Sequence, residues 1–534
     1  MQNFHHQVNK KIPSVILFGI VFLIGLSLCL STKSNYLIDD AFITFRYSQH
    51  LAGGQGIVWN TGEAPIQGYT NFFFMILIAL GFKLGISPVS MALGLNIIGL
   101  FMICLASFLL LRKIPHSIIF RLLLVLAICL YPNTIENLHT GLETVFWTGL
   151  IFLGFFLIEE PYSQPKLWGF VFTMSVAVLT RPETVFFVVI WLAIAFVKNI
   201  NERKAIVFGG ITFLGVICCY EIFNKIYFGA FLPNSALIKL NNPLLLPGRD
   251  YLKQFFSEHL LLILISSVVL LLGIVFQRKN RIISMNLLGF LSLLFFYLFT
   301  NPLMGMFSRF LFPLLIALIY IIFAVVSLFI SNLIQEVQSP QNGPFYQVQK
   351  IFFFLLFLIP FFFLFRFELG QYISDLKNPY TQPLLETEIE IGKKLSQIPD
   401  AEKISVAFGD SGSVPYYSGV HFIDLVGLNE SNIANNANSL GPDWVIKYVM
   451  NKQPDLIGFY LLPSNEIFNA GHGVIGTSYS ALYAAMKDKY QVAGAYDCSW
   501  ITLIFFVRND SAFRSELENG FSQIPGNQKE IIID

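Results

Sequence analysis

Two adjacent carboxylates, Asp39 and Asp40, follow closely on the first apolar segment of the sequence. They belong to an aromatic, amphipathic run over 36–47, and a glycine-rich turn at 53–56 comes after it. At the lip of a membrane cavity, a carboxylate can accept the proton of an incoming hydroxyl group as a general base. The alternative is structural, since aspartate is a favoured residue at the N-terminal cap of a helix and its neighbour would simply be solvated. A carboxylate pair beside a membrane and aromatic residues requires an explanation, and the residues themselves leave both interpretations open.

Side chains suited to a phosphate group occur farther along the chain, at Arg181, Lys239 and Arg309. Cationic side chains bind phosphate oxygens and stabilise a phosphate as a leaving group. With Glu143 as a further carboxylate, these residues predict a site for a lipid phosphate. The lipid tail would stay in the bilayer, and a sugar attached to the phosphate would meet the carboxylates.

Each of these residues also has a structural interpretation. Glu143 suits the N-terminus of a helix, and Arg181 and Glu183 can form a local ion pair in a turn. Lys239 and Arg309 can extend along apolar surface with their charged ends in water. The sequence leaves these alternatives open.

The composition defines the class of protein that must position these groups. Of 534 residues, 55% are hydrophobic and 13% are charged, against roughly 25% charged in soluble domains. The mean hydropathy is +0.64, which indicates a polytopic membrane protein. The net charge of +1 gives no field that would attract nucleic acid, and the 6 cysteines show neither metal-ligand spacing nor a disulfide pattern.

Twelve apolar runs are candidates for membrane crossings. The basic clusters beside them all fall on the cytoplasmic side only if the run over 70–86 does not cross, so the positive-inside rule predicts about eleven spans with the N-terminus inside and the C-terminus outside. The 70–86 run is then an interfacial or re-entrant helix on the outer face. The first 31 residues are interpreted as an uncleaved first span. The remaining predicted spans are 88–111, 118–132, 143–158, 167–180, 183–198, 205–224, 258–276, 284–300, 307–330 and 350–366.

This topology brings the unusual charged residues to one membrane face, although only lysine and arginine near the inner ends were used to build it. The transmembrane domain is predicted to end at residue 366, and 367–534 has ordinary polarity with strand-like runs at 404–408, 455–460 and 500–507. We expect an extracytoplasmic α/β domain with a ragged tail. The loops at 409–412 and 423–429 lie at probable strand ends. Turn chemistry explains them equally well, so no second active centre is predicted there.

The run from Leu37 to Tyr47, with Gly-x-Gly-x-Val-Trp-Asn at 54–60 and Gly-Tyr-Thr-Asn at 68–71, resembles the opening of bacterial GT-C membrane glycosyltransferases. Within them it is most similar to the branch containing the mycobacterial terminal arabinofuranosyltransferase. Weaker similarities occur at 141–144, 180–183, 232–234 and 308–310. The resemblance implies a GT-C fold, a polyprenyl-phosphate-linked sugar donor and an acceptor glycan or glycolipid on the outer face of the bacterial cytoplasmic membrane.

The resemblance also implies roles for particular residues. Asp39 or Asp40 would activate the acceptor, and 70–86 would be a juxtamembrane helix. Glu143 occupies a position where many relatives have aspartate, and this difference leaves open whether it positions another group or contacts a metal ion. Some GT-C enzymes need a divalent metal ion, but the sequence shows no ligand set for one. The residues predicted to bind donor phosphate or sugar are Arg46, Glu143, Arg181, Glu183, Asn234, Lys239 and Arg309. Those predicted for the acceptor side or the juxtamembrane segment are Tyr69, Thr70 and Asn71.

Two other classes of protein would also place charge in a membrane. A transporter or flippase for a lipid-linked glycan usually shows inverted repeats and broken helices at the midplane, and neither stands out in this sequence. A non-catalytic envelope assembly factor would use the C-terminal domain to bind a partner. The clustering of the charges at one face argues against the transporter, and the intact carboxylate pair argues against the assembly factor.

Overall fold

The computed structural model describes residues 13–31, 36–240, 248–276, 285–300, 305–337, 382–468 and 479–528. Up to residue 337 the described chain is helical. Its helices are α1 (Ser14–Ser31), α2 (Asp39–Ala52), α3 (Phe72–Lys83), α4 (Pro88–Leu110), α5 (Ile118–Leu130), α6 (Pro132–His139), α7 (Thr144–Glu159), α8 (Gln164–Thr180), α9 (Thr184–Lys198), α10 (Arg203–Tyr227), α11 (Asn234–Leu240), α12 (Arg249–Glu258), α13 (Leu260–Phe276), α14 (Leu288–Leu298) and α15 (Phe312–Val337).

Four stretches of helix in the described chain are long and apolar enough to cross a membrane: Ser14–Ser31, Pro88–Lys113, Ile200–Tyr227 and Phe312–Asn332. Two bent pairs raise the number to six if each is one span. These are α5 with α6, bent by 52°, and α12 with α13, bent by 78°. Pro132 accounts for the first bend, because proline cannot continue the hydrogen-bond ladder of the preceding helix. The predicted total of eleven spans remains a prediction, and the predicted span over 350–366 lies outside the described residues.

The short helix predicted over 70–86 is present as α3. Its 12 residues are about 18 Å long at 1.5 Å per residue, too short for a hydrocarbon core of about 30 Å. It packs on α2 and α4. A helix in this place therefore holds α2, which carries both aspartates, against the bundle.

The backbones of α4 and α7 approach each other closely. A Cβ atom built on Gly99 would lie 2.4 Å from the Val145 carbonyl oxygen, and one built on Gly149 would lie 2.5 Å from the Gly99 carbonyl oxygen. Only glycine permits this approach of two helix backbones. Since α7 begins directly after Glu143, the contact also fixes the height of that carboxylate relative to α4.

The C-terminal part is an α/β domain, as its strand-like runs predicted. Its sheet has the order β2-β1-β3-β5-β4, with β1 parallel to β2 and β3 and the other pairs antiparallel. Its strands are β1 (Ser405–Phe408), β2 (His421–Asp424), β3 (Leu456–Leu461), β4 (Tyr490–Asp497) and β5 (Thr502–Arg508), and its helices are α16 (Gln382–Leu395), α17 (Ser413–Ser418), α18 (Ser431–Leu440), α19 (Pro442–Lys452), α20 (Tyr479–Met486) and α21 (Arg514–Ser522).

The two parts share a hydrophobic core. Tyr47, Trp59 and Tyr69 of the helical part form one buried cluster with Val414 and Phe422 of the α/β domain. Burying large aromatic side chains contributes about 1.5–3 kcal/mol each. The α/β domain is therefore packed directly on α2 and the loop that follows it. The predicted boundary at 366/367 lies outside the described residues.

Candidate active site

A pocket of about 100 Å³ lies where the bundle, the loop after α2 and the α/β domain meet. Its walls come from segments far apart in sequence, including α2, the loop over 68–71, the corner between α8 and α9, the turn just before α15 and the loop after β2. Seven of the residues predicted from the sequence line it: Asp40, Tyr69, Thr70, Asn71, Glu143, Arg181 and Arg309.

The two aspartates face different surroundings. They are the first two residues of α2, and successive side chains on a helix point about 100° apart. Asp40 lines the pocket, and its Oδ2 pairs with an Arg309 terminal nitrogen at 2.8 Å. Asp39 does not line it; its Oδ1 accepts a hydrogen bond of 2.6 Å from the Ser413 backbone N–H of the α/β domain. The cap of α2 is Ile38, so neither aspartate is the N-cap.

Arg181 is held between two carboxylates. One terminal nitrogen donates to Glu143 Oε1 at 2.7 Å and the other to Glu183 Oε1 at 2.8 Å, with all three side chains 5–7% exposed. The Tyr297 hydroxyl also donates to Glu183. The ion pair proposed for the 180–183 turn is therefore present, and Glu143 joins it. Because both of its terminal nitrogens are engaged, Arg181 orients Glu143 and has no pair of free terminal nitrogens for a bidentate contact with a phosphate.

Buried polar groups around the pocket are left without partners. The Tyr69 hydroxyl and the Nε groups of Arg181 and Arg309 make no hydrogen bond within the described part of the chain. Tyr69 is 4% exposed and Arg309 is 7% exposed. Buried polar groups are nearly always satisfied by protein, water or a ligand. A ligand rich in oxygen atoms would satisfy these three.

Asn71, one of the residues predicted for the acceptor side, belongs to a hydrogen-bonded wall of the pocket. Asn71 donates to Glu143 Oε2 at 2.8 Å and to the Thr44 hydroxyl at 3.0 Å. Thr44 and Asn71 thereby connect α2 to the Arg181 cluster. Thr70, beside them, also borders the pocket.

Two of the predicted residues, Arg46 and Asn234, do not line the pocket. Arg46 is 2% exposed and donates at 2.9 Å to the carbonyl oxygens of Trp59 and Val420. It thus joins α2 to the α/β domain, and the prediction that it binds the donor is not supported by its position. Asn234 donates from its side chain to Ser431 at 3.2 Å, again across the interface. The side chain of Lys239, on α11, lies outside the described residues.

A second group of acids lies behind Asp39. Oxygen atoms of Asp39, Glu388 and Asp410 all lie within 4.8 Å of one another, and the Tyr460 hydroxyl lies within hydrogen-bond distance of both Glu388 and Asp410. Burial raises the pKa of Asp39 and Glu388, and the neighbouring acids raise both further. Bound protons or a cation must offset this charge, and the oxygen ligands suit a hard ion such as Mg²⁺ or Ca²⁺.

Sequence reasoning missed Glu388 as a partner of Asp39, and it considered the 409–412 loop without assigning Asp410 a role. The position of Asp410 just after β1 was the one usable signal, because loops at strand ends carry sites in α/β folds. Glu388 sits in an ordinary amphipathic helix. Nothing local distinguishes it from a solvated glutamate.

The acid cluster predicts a pH-dependent stability. Burial raises the pKa of Asp410 from 3.8 to about 6. Ionising this carboxyl therefore costs more free energy in the folded protein than in the unfolded chain, and the free energy of unfolding falls as the pH rises through that interval. Asp410→Asn keeps an acceptor for Tyr460 but has no charge. At pH 8 in EDTA, the variant should be more stable than wild type by about 1–2 kcal/mol, allowing for partial exposure, and the difference should vanish near pH 4.

Thermal or denaturant unfolding of the purified protein measures this effect. Asp510→Asn is the matched control, because its side chain is 83% exposed. A variant less stable than wild type at pH 8 would show that the Asp410 charge is favourable in the folded state.

The architecture matches known membrane glycosyltransferases. ArnT from Cupriavidus metallidurans, solved bound to undecaprenyl phosphate, superposes with a TM-score of 0.57 at 14% identity, over 92% of this chain and 97% of ArnT. Its apo form gives 0.56 at 13% identity over the same shares. The apo oligosaccharyltransferase of Archaeoglobus fulgidus gives 0.54 at 11% identity, over 94% of this chain and 75% of that protein.

Sequence comparisons add less. A family model described as "Domain of unknown function (DUF8728)" matches residues 380–513, which is most of the α/β domain. Among curated proteins, none matches the sequence. The fold is that of GT-C glycosyltransferases, which confirms the expected helical GT-C-like fold with a C-terminal sheet domain. The number of spans and the extracytoplasmic placement of the α/β domain remain predictions. The resemblance to the mycobacterial branch remains a prediction.

Proposed function

We propose that this protein is a glycosyltransferase that moves a sugar from a polyprenyl-phosphate-linked donor to a cell-envelope glycan or glycolipid. One observation carries the proposal: the ion pair of Asp40 with Arg309 opens onto the pocket at the junction of bundle and α/β domain. A proton-accepting carboxylate and a phosphate-binding cation are the two groups that this reaction needs at one place.

The donor phosphate is assigned to Arg309. One terminal nitrogen of Arg309 pairs with a carboxylate of the described residues, that of Asp40, whereas both terminal nitrogens of Arg181 are engaged, by Glu143 and Glu183. The fold shared with ArnT, which was solved with undecaprenyl phosphate, supports a lipid phosphate as the ligand. An apolar bundle beside the pocket gives the polyprenyl chain a surface to follow.

The acceptor is activated by Asp40. Its side chain is 23% exposed, and Arg309 engages its Oδ2. The acceptor hydroxyl gives its proton to Asp40, and its oxygen forms a bond to the anomeric carbon of the donor sugar. The bond from that carbon to the phosphate oxygen breaks, and the electron pair leaves with the lipid phosphate. A single displacement of this kind inverts the anomeric centre.

Arg309 also couples the two substrates in this scheme. In the ligand-free site its guanidinium pairs with the Asp40 carboxylate at 2.8 Å. A donor phosphate would compete for the same guanidinium and so free the carboxylate to meet the acceptor hydroxyl.

The proposed location is the outer face of the bacterial cytoplasmic membrane, with the N-terminus in the cytoplasm and the α/β domain outside. The distribution of basic residues supports this orientation, because this orientation places every basic cluster near the spans on the cytoplasmic side, as the positive-inside rule expects. Sugar donors linked to polyprenyl phosphate fit a site at that face, where the carrier lipid remains in the bilayer.

Binding of undecaprenyl phosphate tests the proposal directly. Purified wild-type protein in nanodiscs should bind the lipid, and Arg309→Gln should weaken binding about tenfold or more, because a charge-assisted contact to the phosphate is lost. Arg249→Gln is the matched control, as its side chain is 63% exposed. Wild-type protein without affinity for the lipid would refute the donor class, and equal affinity of the Arg309 variant would refute the assignment of the cation.

A further inference from the structure

The α/β domain contributes directly to the pocket. Leu428, in the loop between β2 and α18, lines the pocket together with Gly68 and Tyr69 of the helical part. Asn429, the next residue, is 1% exposed. The domain is therefore a wall of the site and not only an attachment to it.

A buried chain of hydrogen bonds links this loop to the opposite wall. Asp424 at the end of β2 accepts from the Asn429 backbone N–H at 2.8 Å and from its side-chain amide at 3.1 Å. Asn429 Oδ1 accepts from the Tyr47 hydroxyl at 3.0 Å, and that hydroxyl accepts from the Gly68 N–H at 3.1 Å. The position of Gly68, and of Tyr69 next to it, is thus set by a residue of the α/β domain.

Steric fit confirms how closely the two walls meet. A Cβ atom built on Gly68 would lie 1.8 Å from Asn429 Oδ1 and 2.9 Å from the Leu428 carbonyl oxygen. Only glycine at position 68 permits this contact. The ring of Tyr69 packs 4.8 Å from that of Tyr47, and its hydroxyl has no partner within the described chain.

We propose that the 428–429 loop and Tyr69 form the acceptor side of the pocket, with Asn429 as a positioning residue and Leu428 and Tyr69 in contact with the acceptor glycan. The inference rests on the proposed glycosyl transfer. The donor brings its lipid along the apolar bundle, so the wall supplied by the polar domain meets the substrate that arrives without that lipid. A sugar hydroxyl would satisfy the unpartnered Tyr69 hydroxyl, and the rings of tyrosine suit the apolar faces of sugars.

The test separates the acceptor side from the donor side. Cells that lack the protein are complemented with full-length Asn429→Ala, Tyr47→Phe or the double variant, and the product is measured as the mass shift of envelope glycans. Each purified variant is also tested for binding of undecaprenyl phosphate. We expect product to fall about tenfold or more in each single variant, because the acceptor wall is misplaced, while lipid binding stays within about twofold. The double variant should form about as much product as the less active of the two single variants, since both substitutions interrupt the same chain of hydrogen bonds.

Several outcomes would overturn the inference. These are wild-type product from Asn429→Ala, additive losses in the double variant, or loss of lipid binding together with product, which would indicate general collapse of the site. Asn435→Ala, an exposed asparagine of the same domain, is the matched control and should behave as wild type. If Asn429→Ala does not fold, Leu428→Ala decides, because this side chain is partly exposed and wild-type product from it would refute the acceptor contact. Failure of the wild-type protein to bind the lipid or to form any product would instead refute the proposed function.

Discussion

Asp40→Asn should reduce transfer by about 10²–10⁴-fold, the usual contribution of a general base. The amide has almost the same shape but cannot take up the acceptor proton. The variant should still bind undecaprenyl phosphate at least as tightly as wild type, because Arg309 is released from its carboxylate partner at 2.8 Å. Loss of transfer with retained or increased lipid binding is a combination that misfolding would not produce.

Asp39→Asn is the matched comparison. Asp39 accepts its hydrogen bond from Ser413 through Oδ1, and an asparagine oxygen can accept the same bond. We therefore expect a smaller loss of transfer than in the Asp40 variant. The reverse order, with Asp39→Asn inactive and Asp40→Asn active, would move the base to the face that meets the α/β domain. Glycan mass profiles of complemented cells and lipid binding by purified protein give both measurements.

Arg181→Met should prevent the protein from folding stably. It leaves Glu143 and Glu183 buried, each about 5–7% exposed, without their cation. Breaking a buried ion pair by removing one partner costs about 3–5 kcal/mol, which is a large part of the 5–15 kcal/mol by which domains are stable. Yield of monodisperse protein and the midpoint of thermal unfolding measure the loss.

A triple variant separates folding from function. Arg181→Met combined with Glu143→Gln and Glu183→Gln removes the cation and both charges, and neutral side chains of similar size are tolerated far better than an unpaired buried charge. We expect the triple variant to recover most of the lost stability. Transfer should stay low, because Glu143 no longer holds Asn71 through a charged oxygen. If Arg181→Met is as stable as wild type, the negative charges of Glu143 and Glu183 are compensated by other groups or by bound protons.

The periodic and compositional features of the chain were predictable from sequence. Apolar runs gave the helical bundle, and the placement of basic residues singled out 70–86, which is the short helix α3. Strand-like runs predicted β1, β3 and β5. The strand β2 was implied only by the loop placed at a strand end over 423–429, and β4 was not predicted. The resemblance over 37–71 led to the GT-C fold that the comparisons confirm. These signals are local, because hydrophobic periodicity and motif spacing are read within a few turns of chain.

The chemistry of the outer face was predicted as a set of residues, and seven of them line one pocket. The sequence could not decide whether Asp39 or Asp40 faces the pocket, since the two adjacent aspartates have the same local sequence environment. The rotation of about 100° per residue separates them only once α2 is fixed between bundle and α/β domain. Arg46 shows the same limit: its motif position suggested a ligand, and its carbonyl partner Val420 is 374 residues away.

Sequence alone thus determined that this is a membrane protein of helical bundle and α/β domain, with a carboxylate motif beside its first span. Tertiary structure decided which carboxylate opens to the pocket, that Arg181 is held by two glutamates, and that Leu428 and Asn429 complete the wall. The reason is physical. Helices and strands follow from hydrogen bonds and burial patterns between near neighbours, whereas the pocket is made by contacts such as Tyr47 with Asn429, 382 residues apart, which leave no periodic signature in either segment.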